Sequence, residues 1–168
     1  MANFDEALTF VLANEGGFSD NPNDRGGRTN HGISSALLSR LKGYPRDPKD
    51  LSFAQVRDIY YKEFWLKAPF TSLWNQRIAN YIFDCCVLHG IGTGIEITQR
   101  AVWSVLGYQF LKDDGVMGTK TLAAIQQAGY LLMYAIVVER AAYCRLLCIK
   151  DNEQREFLNG WLKRCYRI

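Results

Sequence analysis

The chain has 168 residues, 48% of them hydrophobic and 22% charged, with four prolines, which is the composition of a folded globular protein large enough to bury a core without disulfides. It excludes a disordered chain, a low-complexity segment and a repeat array. A net charge of +3 with acids and bases interleaved gives no ground for nucleic-acid binding and suits a loose attraction to an anionic polymer.

The N-terminus, Met-Ala-Asn-Phe-Asp-Glu, has neither a basic start nor an apolar block, so no conventional signal peptide is read there and synthesis in a cytoplasm is expected. Phe4, Ala7, Leu8, Val11 and Leu12 recur at the spacing of one helix face, with Asn3 as N-cap and Glu6 three residues on. Continuing that stripe by three residues reaches Glu15, just before Gly16 and Gly17, which can end the helix. A carboxylate therefore stands on the core-facing stripe. Residues 16–33 then run through Gly, Asn, Asp, Pro, Arg, Thr and His with almost no apolar content, which makes a long polar loop or a small β-hairpin. Loops longer than about 12 to 15 residues in a compact domain are usually functional or disordered, and we read this one as functional.

Helices dominate the rest. They are expected over 34–41, over 52–66 with a Ser52 and Gln55 capping box, and over 75–88, ending near Gly90. Thr93 with Glu96 opens another through Leu106, the turn Asp113, Asp114, Gly115 leads to Thr119 as cap of a helix through Gln127, and further helices cover 130–149 and start again near 153. The apolar run 131–149 carries Glu139, Arg140 and Arg145, so it is read as a buried helix with no stable membrane insertion. The stretch 90–94 is a weak boundary, too short to be a linker. Lys163, Arg164 and Arg167 read as a solvated basic face.

Five cysteines, an odd number, with Cys85 and Cys86 adjacent and Cys144 and Cys148 one helical turn apart in an apolar run, read as reduced core thiols. His31 and His89 lack the spacing of metal ligands, so no metal site is called. Tyr61, Trp65, Trp74, Trp103 and Trp161 stand at helical spacings that favour the core over a sugar-stacking role.

Hydrolysing a glycosidic bond near neutral pH needs an acid that holds its proton until the leaving oxygen takes it, which apolar surroundings favour. Glu15 has that address. A second carboxylate should stand nearby, and Asp20 and Asp24 both lie in the adjoining loop.

The run Glu-Gly-Gly-Phe-Ser-Asp-Asn-Pro-Asn-Asp-Arg-Gly-Gly-Arg-Thr-Asn-His-Gly-Ile over 15–33 closely resembles the signature of glycoside hydrolase family 108, N-acetylmuramidases of phage endolysins and bacterial wall-lytic proteins. The resemblance continues through 60–65, an aromatic helix, and 84–90, an Asp-bearing helix ending in Gly. It extends to 114–121 and 157–164, which look like the family's predicted peptidoglycan-binding region. The chain departs from the pattern at Arg25, His31 and Leu88.

The resemblance implies a mainly α, lysozyme-like helical bundle with the loop or hairpin beside the cleft, residues 1–90 forming the catalytic region and 91–168 a C-terminal helical region in one compact unit with it. It implies Glu15 as catalytic acid. The spacing is also similar to that of phage lysozymes of another family, in which Glu, Asp and Thr act together, and on that likeness Asp24 and Thr29 join Glu15. Phe18, Asn30 and His31 share the signature loop and are the substrate-binding candidates. The expected activity is hydrolysis of the bond between N-acetylmuramic acid and N-acetylglucosamine, without cofactor, by a monomer that is either a phage endolysin released through a holin or a bacterial enzyme with its own export route. The alternatives are a non-catalytic wall-binding or secretion-assisting protein and a chitin-type glycosidase.

Overall fold

The computed structural model describes residues 1–15, 17–20, 27–107 and 111–167. Eight α-helices are formed there: α1 (Phe4–Leu12), α2 (Ser35–Leu38), α3 (Phe53–Glu63), α4 (Gln76–His89), α5 (Ile91–Leu106), α6 (Thr119–Ala128), α7 (Leu131–Lys150) and α8 (Arg155–Cys165). The one sheet among the described residues is an antiparallel ribbon of β1 (Thr29–Asn30) and β2 (Ile33–Ser34).

Local chemistry explains most boundaries. Asn3 accepts from Glu6 N at the start of α1, Ser52 and Gln55 form the expected capping box of α3, and Asn75 accepts from Ile78 N at the start of α4. Two caps differ from expectation. Gly90, at φ +86°, turns the chain from α4 straight into α5, so Thr93 falls inside the first turn rather than capping it. Thr119 is likewise the first residue of α6, behind Gly118.

A continuous core runs from Phe4 in α1 to Val137 in α7, joined by Ile33 of β2 and the buried faces of α3, α4, α5 and α6. The helices α4 and α5 meet where a Cβ on Gly94 would lie 2.6 Å from Cys86 Cα, an approach that only glycine permits. Residues 90–94 are therefore a tight joint within one core. Trp65 stacks on Phe70 at 5.1 Å and meets Phe83 edge-on at 5.2 Å, as a core aromatic should. Tyr61 and Trp74 depart from the core reading and are exposed.

All five cysteines are free thiols in the interior. Burial pushes the Cys85 thiol up to about 12. His89 packs edge-on to Tyr143, and its Nε2 accepts from Arg140 Nε at 3.4 Å. Burial, reinforced by the Arg140 charge, pushes His89 down to about 3, so the ring is neutral.

Candidate active site

Glu15 lies just beyond α1, and its backbone N–H still bonds Val11 O at 3.1 Å, so one more helical turn carries the carboxylate along the apolar stripe. The side chain keeps only 14% of its surface exposed.

A hairpin closes over it. Thr29 pairs with Ser34 and Asn30 with Ile33, leaving His31 and Gly32 as a two-residue turn. Both have positive φ, 50° and 74°, as a type I′ turn demands because its twist matches that of the strands. A Cβ on Gly32 would lie 2.6 Å from Glu15 Cδ and 2.7 Å from both Glu15 Oε2 and the Tyr60 hydroxyl. The bare backbone at the tip of the turn thus rests on the carboxylate.

Three contacts fix that tip. Tyr60 on α3 donates its hydroxyl to His31 O at 2.8 Å, Asn30 Nδ2 donates to Pro48 O at 3.1 Å, and Ile33 is buried in the core. Burial first, then the Glu15 charge, raise the Tyr60 pKa far above its ordinary value, so the phenol stays a donor. Ser19 and Thr29 exchange backbone hydrogen bonds of 2.8 and 2.9 Å, folding the incoming chain beside β1.

On the other side Glu15 meets a charge network that the sequence did not reveal. Arg164 of α8 places Nη1 2.6 Å from Glu15 Oε1. Its other edge is committed to Asp84 of α4, through Nε at 3.1 Å from both carboxylate oxygens and Nη2 at 2.9 Å from Oδ1. Asp84 is completely buried and also faces Arg140 of α7, whose Nη2 stands 2.8 Å from Oδ2. That contact is close but out of line for a hydrogen bond, and neither Nη atom of Arg140 has an aligned acceptor among the described residues. Asn14 Nδ2 adds a 3.3 Å contact to Asp84 Oδ1. Two carboxylates and two guanidiniums balance, which is what burial of four charges requires. Burial opposes the charge on Arg164, yet Asp84 and Glu15 outweigh it and hold its pKa above the ordinary value.

The basic ending is therefore corrected. Arg164 retains 9% side-chain exposure, and Arg167 donates to Ala13 O at 2.8 Å and Asn14 Oδ1 at 3.0 Å, fastening α8 to the end of α1. Lys163 and Arg167 keep the exposed place expected, and Arg164 does not. One signal was available: Leu158, Trp161 and Cys165 pack inward from α8, and Arg164 follows Trp161 by three residues, on the same side of the helix. Asp84 and Arg140 are likewise charges set in apolar helical periods.

The remaining sequence candidates divide. Phe18 is half exposed and His31 sits on the turn beside the acid. The Asn30 amide is engaged by Pro48, which gives it a part in holding the hairpin. Thr29 stands in β1 with its backbone paired on both sides. Asp20 lies 3.2 Å from Arg28 Nε on the surface, and Arg28 also reaches Asp47 at 2.9 Å. Asp24 and Arg25 lie outside the described residues.

A mainly α bundle with a small hairpin folded over an interior carboxylate is a lysozyme-like fold, and the family comparison makes the chain a glycoside hydrolase. Its sequence matches the family model described as glycosyl hydrolase 108 over residues 8–90 and the one described as a predicted peptidoglycan domain over 93–166. The chain belongs to the glycosyl hydrolase 108 family, and its function is of the muramidase type, with peptidoglycan as substrate. Comparison with curated proteins returned no match. Among solved structures it is similar to SagA of Brucella abortus, at 29% identity and a TM-score of 0.78, with 98% of this chain and 90% of that chain covered. Both halves, in their mutual arrangement, share in that likeness.

Proposed function

We propose that the protein is an N-acetylmuramidase that cuts between N-acetylmuramic acid and N-acetylglucosamine, with Glu15 as general acid. The observation that carries this reading is the division of labour between the two oxygens of Glu15. Oε1 is engaged by Arg164, whereas Oε2 lies against Gly32, the position without a side chain. In this reading Oε2 delivers the proton and Oε1 keeps its cation.

Asp24 is the partner carboxylate in this reading, since the other loop acid, Asp20, is already paired with Arg28. It stabilises positive charge on the sugar or positions water, the role of the second carboxylate in glycosidases. Thr29 helps hold that water, and Phe18, Asn30 and His31 border the bound glycan. In biological terms the protein is an endolysin, made in the cytoplasm and released to the wall through a holin. Among the described residues no single helix is long and apolar enough to cross a bilayer.

The test is digestion of purified sacculi by the wild type and Glu15→Gln, followed by reducing-end analysis. Muramic acid ends from the wild type and none from the variant are expected. Glucosamine ends, or undiminished lysis by Glu15→Gln, would refute the assignment. Asp24→Asn should lower turnover by orders of magnitude with wall binding retained, while Asp20→Asn, which loses an exposed ion pair worth roughly 0 to 1 kcal/mol, should stay active. The reverse pattern would exchange their roles.

A further inference from the structure

The helix α7 has two apolar faces. One enters the core through Leu132, Met133, Ile136, Val137 and Ala141. The other remains exposed: Leu131 (66%), Tyr134 (58%), Val138 (66%), Leu146 (51%) and Ile149 (74%), with exposed Ala142 completing the line. At 100° per residue these six positions fall within about 60° of one direction, forming a straight stripe about 27 Å long. Arg145 shares the stripe's angular range, but its Nη2 turns toward the Tyr166 hydroxyl at 3.4 Å. At the N-terminal end, exposed Tyr130 packs edge-on with Trp74 at 5.1 Å and widens the patch. A contiguous apolar face of this length is unusual on a monomer and marks an interaction surface.

We propose that this stripe is the interface of a homodimer in which two copies of α7 pack antiparallel about a twofold axis beside residue 140. The spacing itself is the argument. A twofold interface requires that residue i meet j while j meets i. About residue 140 the exposed apolar positions pair without remainder: Leu131 with the partner's Ile149, Tyr134 with the partner's Leu146, Val138 with the partner's Ala142; Arg145, whose side chain turns to Tyr166, is the exposed charge on the line. Every large exposed side chain meets an apolar counterpart, and the small Ala142 lies opposite Val138, where the two helices come closest. Area agrees. Five large side chains exposed by half to three quarters, with Tyr130 and Trp74 at the edge, offer on the order of 800 Å² per copy, the amount a stable interface buries.

The dimer leaves both sites free. Arg140, which looks inward toward Asp84, is half a turn round the helix from the stripe, so the stripe faces away from the network to which Glu15 belongs. A bilayer surface fits less well, because among the described residues of α7 the exposed cations, Arg145 and Lys150, stand at one end of the line and form no row along it to meet anionic lipid. The sequence led us to expect a monomer, and the proposal departs from that expectation. The proposal is independent of the catalytic assignment.

The experiment is sedimentation equilibrium of the purified chain from about 1 to 100 µM, with Val138→Glu, Ala142→Lys and an equimolar mixture of the two variants. The wild type is expected to reach twice the chain mass, and each variant alone to remain at the monomer mass with an unchanged circular dichroism spectrum and wall lysis. The mixture should recover the doubled mass, because position 138 of one copy faces position 142 of the other. A wild type that stays monomeric at 100 µM overturns the proposal. Dimers that persist in both single variants, or a mixture that fails to associate, overturn this interface. A monomeric wild type that co-sediments with phosphatidylglycerol vesicles, and loses that property in Val138→Glu, would assign the stripe to lipid instead.

Discussion

Arg164 answers to two carboxylates at once, and that double duty makes it more informative than either acid. Its planar fork serves Asp84 along one edge and Glu15 with the remaining nitrogen, a task that a point charge such as lysine performs for only one partner at a time. Arg164→Lys is expected to fold, lose a few degrees of Tm, and lower kcat at least tenfold with KM for soluble glycan nearly unchanged. A role confined to stability would move Tm and leave kcat alone. Arg164→Met removes one charge from a balanced buried set, a change that typically costs about 3 to 5 kcal/mol, and should be seen as a large drop in the urea midpoint. His89 supplies a pH effect of known sign. Its folded pKa is held down to about 3 by burial and by Arg140, whereas the unfolded chain takes up a proton near the ordinary value of about 6.5. Stability is therefore full above about 6.5 and falls as pH drops toward 3, by at most about 1.4 kcal/mol per pH unit for this group. His89→Gln, which can still accept from Arg140, should flatten that slope in urea titrations between pH 4 and 7.

At the scale of elements, the hairpin is the part that shapes the site, and its turn separates two functions that adjoin in sequence. Gly32 provides both positive φ and the absence of a Cβ above Glu15. Gly32→Ala should lower turnover by orders of magnitude and stability by about 1 to 3 kcal/mol, since the methyl group must displace the carboxylate or the turn. Gly17→Ala is the control, for nothing lies within 4 Å of a Cβ there. His31 carries the other positive φ with an unfavourable residue type, so His31→Asn should raise Tm slightly, asparagine being the preferred partner of glycine in this turn. If the imidazole also touches glycan, KM will rise in the same variant while Tm does not fall.

For the whole molecule, the network means that neither half of the chain is electrostatically complete. Asp84 from the first half finds its cations in α7 and α8, and the core runs without interruption across the joint at 90–94. Full-length protein should show one cooperative transition by both fluorescence and circular dichroism, and a fragment ending at residue 92 should not fold. The interior thiols give a second reading of the same cooperativity: native protein should react with Ellman's reagent at less than one site per chain, and denatured protein at all five.

The sequence by itself determined what depends on neighbours along the chain. Helix positions followed from apolar periods, and the Asn3, Ser52 and Asn75 caps from side chains reaching backbone N–H groups three residues on. Glu15 was legible as a carboxylate out of place, and the signature in 15–33 pointed to the family. The tertiary structure decided what depends on residues far apart. Arg164 lies 149 positions from Glu15 and 80 from Asp84, and no local pattern states that a charge near the end of the chain will be buried against one near its beginning. Burial of an ion is settled only when all its partners arrive together, because the desolvation of each is offset by the others. The same holds for the exposed stripe of α7: its periodicity is that of a core helix, and only the packing of the other seven shows that one of its two apolar faces was left without a partner.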